Sequence, residues 1–185
     1  MLLDITLPVS QEMLGIAWGN TNPSLAGHLG THFDGMDKEF PLEYNRREGI
    51  VFDVSSVSGR EIDMADVDLS QVGKDMFVAF YTGFIHRVEY GTAPYFKEHP
   101  QLSQQLIQAL LDKKISIIGL DFAGIRRAPE HVPADQRCAD HNVFVVENLW
   151  DLDKLLAVSS RFVAHTYPLR LLGVTGLPCR VVAEV

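Results

Sequence analysis

Ile115-Ser116-Ile117-Ile118-Gly119-Leu120, closed by Asp121, is apolar almost throughout and does not alternate. A strand with one wet face carries apolar side chains at every second position, so a run this continuous belongs in a sheet covered on both sides. Helices must supply the cover. Just upstream, Leu102, Leu106, Ala109, Leu110 and Lys113 follow helical spacing after the Pro100 start signal, which predicts a helix from Leu102 to Lys113. Further upstream Met76 to Tyr81 is another apolar, strand-like run. Strand, helix and strand in the order Met76 to Leu120 predict a crossover unit. The same reading gives strands at Leu2 to Leu7, Ile50 to Val54, Val143 to Val146, Phe162 to Leu172 and Arg180 to Val185. It also gives a short helix at Asp151 to Leu156, with Asp151 and Asp153 in its first turn. The class is α/β.

Composition sets the limits. The 185 residues are 46% hydrophobic, enough for one domain with a genuine core, and no repeat or linker divides the chain. Sixteen basic against 24 acidic residues leave a net charge of -8, which argues against nucleic acid as a partner. No window approaches the ~20 apolar residues of a membrane-spanning helix, and the start MLLDITLPVS lacks the basic and apolar regions of a secretory signal. Cys138 and Cys179 stand far apart, without the spacing of a disulfide framework or a zinc knuckle. A cytoplasmic protein that acts on a small molecule is the expectation.

Chemistry concentrates in Gly27-His28-Leu29-Gly30-Thr31-His32-Phe33-Asp34-Gly35, which places two imidazoles and a carboxylate within seven residues. These are the ligand types of zinc, and manganese or iron also accept them. A straight strand would hold His28 and Asp34 ~20 Å apart, too far for one ion. A continuous helix would stack His28 on His32 but turn Asp34 ~120° away. A turn over His28 to His32 followed by extended backbone would gather all three, and Gly27, Gly30 and Gly35 permit such a bend. The alternative is a loop with two ordinary histidines and a turn-forming Asp34.

His28-Leu-Gly-Thr-His32-Phe-Asp34 resembles the HxGTHxD core of the cyclase family, which includes bacterial kynurenine formamidases and related metal-dependent cyclic-amide hydrolases. The resemblance continues in order along the chain. Asp4-Ile-Thr is similar to the family's DLT segment, Tyr81-Thr82-Gly83-Phe84 to its TGW/TGF, and Gly119-Leu120-Asp121 to its GID. Val146-Glu147-Asn148-Leu149-Trp150-Asp151-Leu152 is similar to VENLxNL, and Leu169 to Val182 to the closing LxxxxxxGxPxRxxA. Two positions depart from it. The family continues HxGTHxDxPxH, whereas Met36 stands at the proline and Lys38 at the last histidine. A family histidine about a dozen residues before the VENL glutamate is replaced, by ungapped counting, by Asp135, with His131 one helical turn earlier and His141 nearer Glu147.

The resemblance implies a single β-rich domain of the swivelling β/β/α type, with a mixed sheet and few helices, in a homodimer or larger assembly. It also implies hydrolysis of a small amide by a divalent metal, zinc first and manganese second, held by His28, His32, Asp34 and Glu147. Glu147 and His131 are candidates for proton transfer, His131 lying in the stretch Ala128 to Ala134, which reads as a Pro-rich loop. Lys38 could replace a second cation electrostatically, donate to a developing oxyanion, or sit with Asp37 and Glu39 on a solvated surface. Asp121 ends a strand and reads mainly as a cap or turn residue. His86, His99 and His165 read as structural or surface groups. Arg126 and Arg127 are candidates for an anionic substrate or for ordinary surface charge. Trp18 and the stretch Tyr90 to Phe96 are candidate pocket walls or core aromatics.

Overall fold

The computed structural model describes residues 1–10, 13 and 27–185; Trp18 lies outside these. In chain order the strands are β1 (Leu2–Asp4), β2 (His32–Asp34), β3 (Arg46–Asp53), β4 (Phe77–Tyr81), β5 (Ile117–Leu120), β6 (Phe144–Glu147), β7 (Arg161–Thr166), β8 (Gly176–Pro178) and β9 (Val181–Glu184). They form one mixed sheet in the order β1-β9-β7-β3-β4-β5-β6-β2-β8. The centre, β3 to β6, is parallel, and the wings are antiparallel.

All four residues of β5 are buried, as its unbroken apolar character requires. Among the described residues, helices supply most of the cover on one face. The main helices among the described residues are α1 (Phe84–Arg87), α2 (Ala93–Glu98), α3 (Gln104–Asp112), α4 (His131–Asp140) and α5 (Leu152–Leu156). Leu106, Ile107, Leu110 and Leu111 of α3 share one core with Val78, Phe80, Ile118, Leu120 and Val145 from the parallel strands. On the other face, Phe77, Ala79, Ile117, Phe144 and Val146 meet Phe162 and Ala164 of β7, Val181 and Ala183 of β9, Phe33 of β2 and Leu177 of β8. A flat sheet could not bring both wings onto its own centre, so the sheet curls around this second core. Leu152 and Leu155 of α5 close it.

The elements depart from the sequence reading mainly at their ends. Leu2 to Leu7 is a strand only to Asp4, and Thr6 then makes an isolated bridge with Leu149. Phe162 to Leu172 pairs only as far as Thr166, because Pro168 removes a donor from the ladder. β3 begins four residues before Ile50, since Arg46 to Gly49 pair with β7 despite their polarity. The helix of Leu102 to Lys113 starts at Gln104, capped by the Ser103 side chain, which accepts from the Leu106 amide at 3.0 Å. Asp151 adopts left-handed backbone with φ 53° and precedes α5 instead of entering its first turn. The stretch Ala128 to Ala134 is not all loop, because α4 starts at His131 with Pro133 in its first turn.

Gly119 shows how tight the curled core is. A Cβ there would lie 2.6 Å from the Phe77 ring and 2.8 Å from Leu149 Cδ1. Gly119→Ala is expected to lower stability by about 1–3 kcal/mol through overpacking, read as a lower urea midpoint at unchanged m. An unchanged midpoint would show that the core can yield.

Candidate metal centre

The bend in the segment from Gly27 to Asp34 is present. Residues 27–31 form irregular turns and His32 opens β2. Of the three glycines only Gly30 needs its freedom in φ, at +66°. Gly27 serves close approach instead: a Cβ there would lie 2.0 Å from the Gly176 carbonyl oxygen. Along β2, His32 and Asp34 face one side and Phe33 faces the curled core. The antiparallel register sets His32 opposite Glu147 at the end of β6, so pairing alone brings an imidazole to a carboxylate on one face.

The side chains converge. His28 Nδ1 lies 3.0 Å from His32 Nε2 and 3.0 Å from Asp34 Oδ1. His32 Nε2 lies 3.7 Å from Asp34 Oδ1 and 3.6 Å from Glu147 Oε2. From α4, His131 Nε2 approaches Glu147 Oε1 at 3.2 Å and Asp135 Oδ2 at 3.0 Å. His131 and Asp135 meet because residues four apart share a helix face. Two overlapping sets of ligand atoms result, His28/His32/Asp34 and Asp34/His131/Glu147, each within 4.8 Å and sharing Asp34.

Several further groups aim this cluster. Gly30 O accepts from His32 Nδ1 at 2.9 Å and from Asn148 Nδ2 at 2.9 Å. Asn148 Oδ1 accepts from the Tyr95 hydroxyl at 2.7 Å, and Asn148 O from the Thr31 hydroxyl at 2.7 Å. The Tyr90 hydroxyl accepts from the Gly30 amide at 2.8 Å. Tyr90 and Tyr95 therefore serve as props for the bend, and Phe96 is half-exposed. Asn148, Tyr90 and Tyr95 were not singled out as supports by sequence reasoning, since only the tertiary fold brings them to Gly30.

The electrostatics call for a cation. Asp34, Asp135 and Glu147 are all buried. Burial and the Asp34 charge push the Asp135 carboxyl up to about 8, and the same causes raise Glu147. Burial disfavours the His131 imidazolium, but Asp135 and Glu147 overcome this and hold it up to about 11. His32 is likewise disfavoured by burial, yet Asp34 and Glu147 carry it up to about 9. Asp34 is lowered, burial being outweighed by bonding to His28 and His32. Asp34 Oδ2, Asp135 Oδ1 and Glu147 Oε1 are buried without a properly aligned hydrogen bond, the 3.2 Å approach of His131 to Oε1 included. Three crowded carboxylates with orphaned oxygens, faced by imidazole nitrogens, fit a divalent ion, which would replace the protons that now balance the charge.

The remaining candidates lie elsewhere. Lys38 is not brought into the cluster; its ammonium pairs with Asp140 at 3.0 Å and Asp37 at 3.2 Å on the surface. Met36 explains the departure. Its φ of 53° is closed to proline, so a loop built as here could not carry the family's proline. His141 Nδ1 bonds the Arg137 carbonyl outside the site, leaving His131 as the histidine that reaches Glu147. Asp121 fastens β5 to the end of β4, accepting from the Thr82 amide and hydroxyl and from the Gly83 amide at 2.9, 2.6 and 2.6 Å. Arg126 is buried and committed to Glu61, Glu130 and the Leu102 carbonyl. His86 meets Asp153 at 3.7 Å and His165 meets Glu184 at 2.8 Å.

His99 is structural and gives a pH signature. It is buried, stacks on Phe122 with ring centroids 5.8 Å apart and donates from Nδ1 to the Pro100 carbonyl. Burial lowers its pKa from 6.5 to about 4. The folded state then binds fewer protons than the unfolded state in that window, so stability is lost as pH falls from about 6.5 to about 4. The loss is on the order of 3 kcal/mol at most. His99→Asn, which keeps a donor for Pro100, should flatten the dependence in denaturant titrations across the window.

A curled mixed sheet with a preassembled imidazole–carboxylate cluster where β2 meets the carboxyl end of β6 defines the class. The chain matches the family Putative cyclase over residues 3–126 and belongs to it. No curated protein matches the chain. In fold it is similar to a predicted metal-dependent hydrolase from Bacillus stearothermophilus, with 23% identity, a TM-score of 0.75, and 99% of this chain and 97% of that one covered. It is also similar to isatin hydrolase A from Labrenzia aggregata bound to benzyl benzoate, with 21% identity, a TM-score of 0.71, and 85% and 73% coverage. An isatin hydrolase bound to the product analogue thioisatinate shows 23% identity, a TM-score of 0.72, and 86% and 72% coverage. At these identities the likeness is one of fold.

Proposed function

We propose that the protein is a divalent-metal-dependent hydrolase of a small amide, resembling an arylformamidase that converts N-formylkynurenine to kynurenine and formate. The observation that carries this reading is the meeting of His28, His32 and Asp34 at one buried point, with Glu147 across the strand pair. His28 through Nδ1, His32 through Nε2, Asp34 and Glu147 Oε2 would hold the ion, with zinc first and manganese second. A bound divalent cation supplies Lewis-acid chemistry there, acidifying water and polarising a carbonyl oxygen.

The chain itself handles the protons. Glu147 Oε1, buried without an aligned hydrogen bond, accepts the proton that water gives up as the water oxygen bonds the amide carbon. His131 Nε2, 3.2 Å away, protonates the leaving nitrogen as the C–N bond breaks and is refilled from Glu147. Asp135 Oδ2 lies 3.0 Å from the same Nε2 and shares that nitrogen with Glu147. Lys38 has no part in this reaction.

Purified protein loaded with zinc or manganese is expected to hydrolyse N-formylkynurenine or isatin, a cyclic amide, and to lose turnover to a chelator. Bound metal with no turnover on either would favour a second reading, a non-hydrolytic metal or small-molecule binder. That reading draws on one observation, the surface-bound Lys38 where the family places a histidine. The reading extends to a homodimer or larger assembly, supported by the exposed Leu42, Leu169 and Leu172, a kind of surface that favours association.

A further inference from the structure

Thr175 stands directly before β8, against His28. Its Oγ1 lies 2.9 Å from His28 Nε2, and its carbonyl oxygen accepts from the Gly35 and Met36 amides at 2.8 and 3.2 Å. One residue thus ties down both ends of the segment that carries His28, His32 and Asp34. The contact depends on close backbone approach. A Cβ on Gly176 would lie 2.7 Å from His28 Cδ2 and 2.6 Å from the Gly27 carbonyl carbon, so only glycine lets this strand press against the ring.

The two histidines of the first ligand set are held by opposite nitrogens. His32 gives Nδ1 to the Gly30 carbonyl, a pure acceptor, which leaves Nε2 facing Asp34 and Glu147. His28 gives Nε2 to Thr175, which leaves Nδ1 facing Asp34 and His32. A hydroxyl at this place has a property that a carbonyl lacks. It donates to Nε2 when Nδ1 carries the proton toward Asp34, and it accepts from Nε2–H when the Nδ1 lone pair is engaged by a cation.

We propose that Thr175 is a positioning residue for the metal centre, its hydroxyl fixing the His28 ring so that Nδ1 is the nitrogen offered to the ion. This rests on the metal-centre reading above. An outer hydrogen bond of this kind orients a ligand imidazole and sets its tautomer. Thr175 touches neither substrate nor ion.

The test compares the full-length wild type with Thr175→Val, which keeps shape and loses the hydroxyl, and Thr175→Ser, which keeps the hydroxyl. Zinc affinity is measured by competition with a chromophoric chelator, and the visible absorption of the cobalt-loaded protein reports ligand geometry. Thr175→Val is expected to bind zinc roughly 10–100-fold more weakly and to change the cobalt spectrum, while Thr175→Ser stays near wild type. Thr175→Ala replaces the valine variant should that one fail to fold, with the same expectation. Wild-type affinity in Thr175→Val, or a loss in Thr175→Ser equal to that in Thr175→Val, would overturn the proposal while leaving the metal centre intact. A wild-type protein that binds neither zinc nor cobalt would instead overturn the metal centre and this proposal together.

Discussion

His32→Ala is expected to lose the divalent ion and, with it, turnover by roughly 10³-fold or more, equivalent to about 4 kcal/mol of barrier. His32 makes more of the close contacts in the first half of the site than any other residue, reaching His28 at 3.0 Å, Asp34 at 3.7 Å and Glu147 at 3.6 Å. Its loss also leaves Asp34 and Glu147 buried with one fewer positive neighbour, so the metal-free variant should be less stable than the metal-free wild type. The check is elemental analysis together with amide turnover on the same preparation. Unchanged metal content and unchanged turnover would remove His32 from the mechanism.

Glu147→Gln separates chemistry from folding. The amide is close in shape to the carboxylate but cannot take a proton, so turnover should fall about 10²–10⁴-fold and the acidic limb of the pH profile of kcat/KM should vanish. Stability should move the other way. Burial and the charge of Asp34 raise the Glu147 pKa in the folded state. With a raised folded pKa, the stabilising contribution is present below the unfolded value and is lost as pH rises through the folded one. A neutral isostere avoids that loss, so the metal-free variant should be at least as stable as wild type at pH 7 by thermal melting. A variant that retains full turnover would show that the proton goes elsewhere, with His131 next to be tested.

The two predictions depend on features of unequal visibility in the sequence. The central sheet was legible because Ile117 to Leu120 and Phe77 to Tyr81 are apolar on both faces, and only a doubly covered parallel sheet accounts for that. The bend at Gly30 was legible as well, since neither a strand nor a helix alone can bring His28 and Asp34 to one point. The three-residue strands β1, β2 and β8 were not readable at their true lengths, because their pairing is set by register across the sheet. His32–Asp34 in particular owes its extended form to partners on both sides, β6 and β8.

Helix α4 was the main omission, and it decides the second half of the site. Ala128 to Ala134 contains two prolines and reads as loop, yet Pro133 is compatible with a first helical turn. Counting back from Glu147 points to Asp135, whereas the helix places His131 beside Glu147, with Asp135 meeting the same imidazole nitrogen. Lys38 had three roles open to it in the sequence, and the structure places its ammonium with Asp140 and Asp37, which agrees with the surface one. The contact of Gly27 with Gly176 joins positions almost 150 residues apart and had no local signal.

The most direct test is a crystal of protein purified without added metal, with anomalous diffraction recorded on both sides of the zinc and manganese absorption edges. The account predicts an anomalous peak among His28 Nδ1, His32 Nε2 and Asp34, on the side facing Glu147. Well-ordered side chains at these four residues with no such peak, even after soaking in either metal, would contradict it.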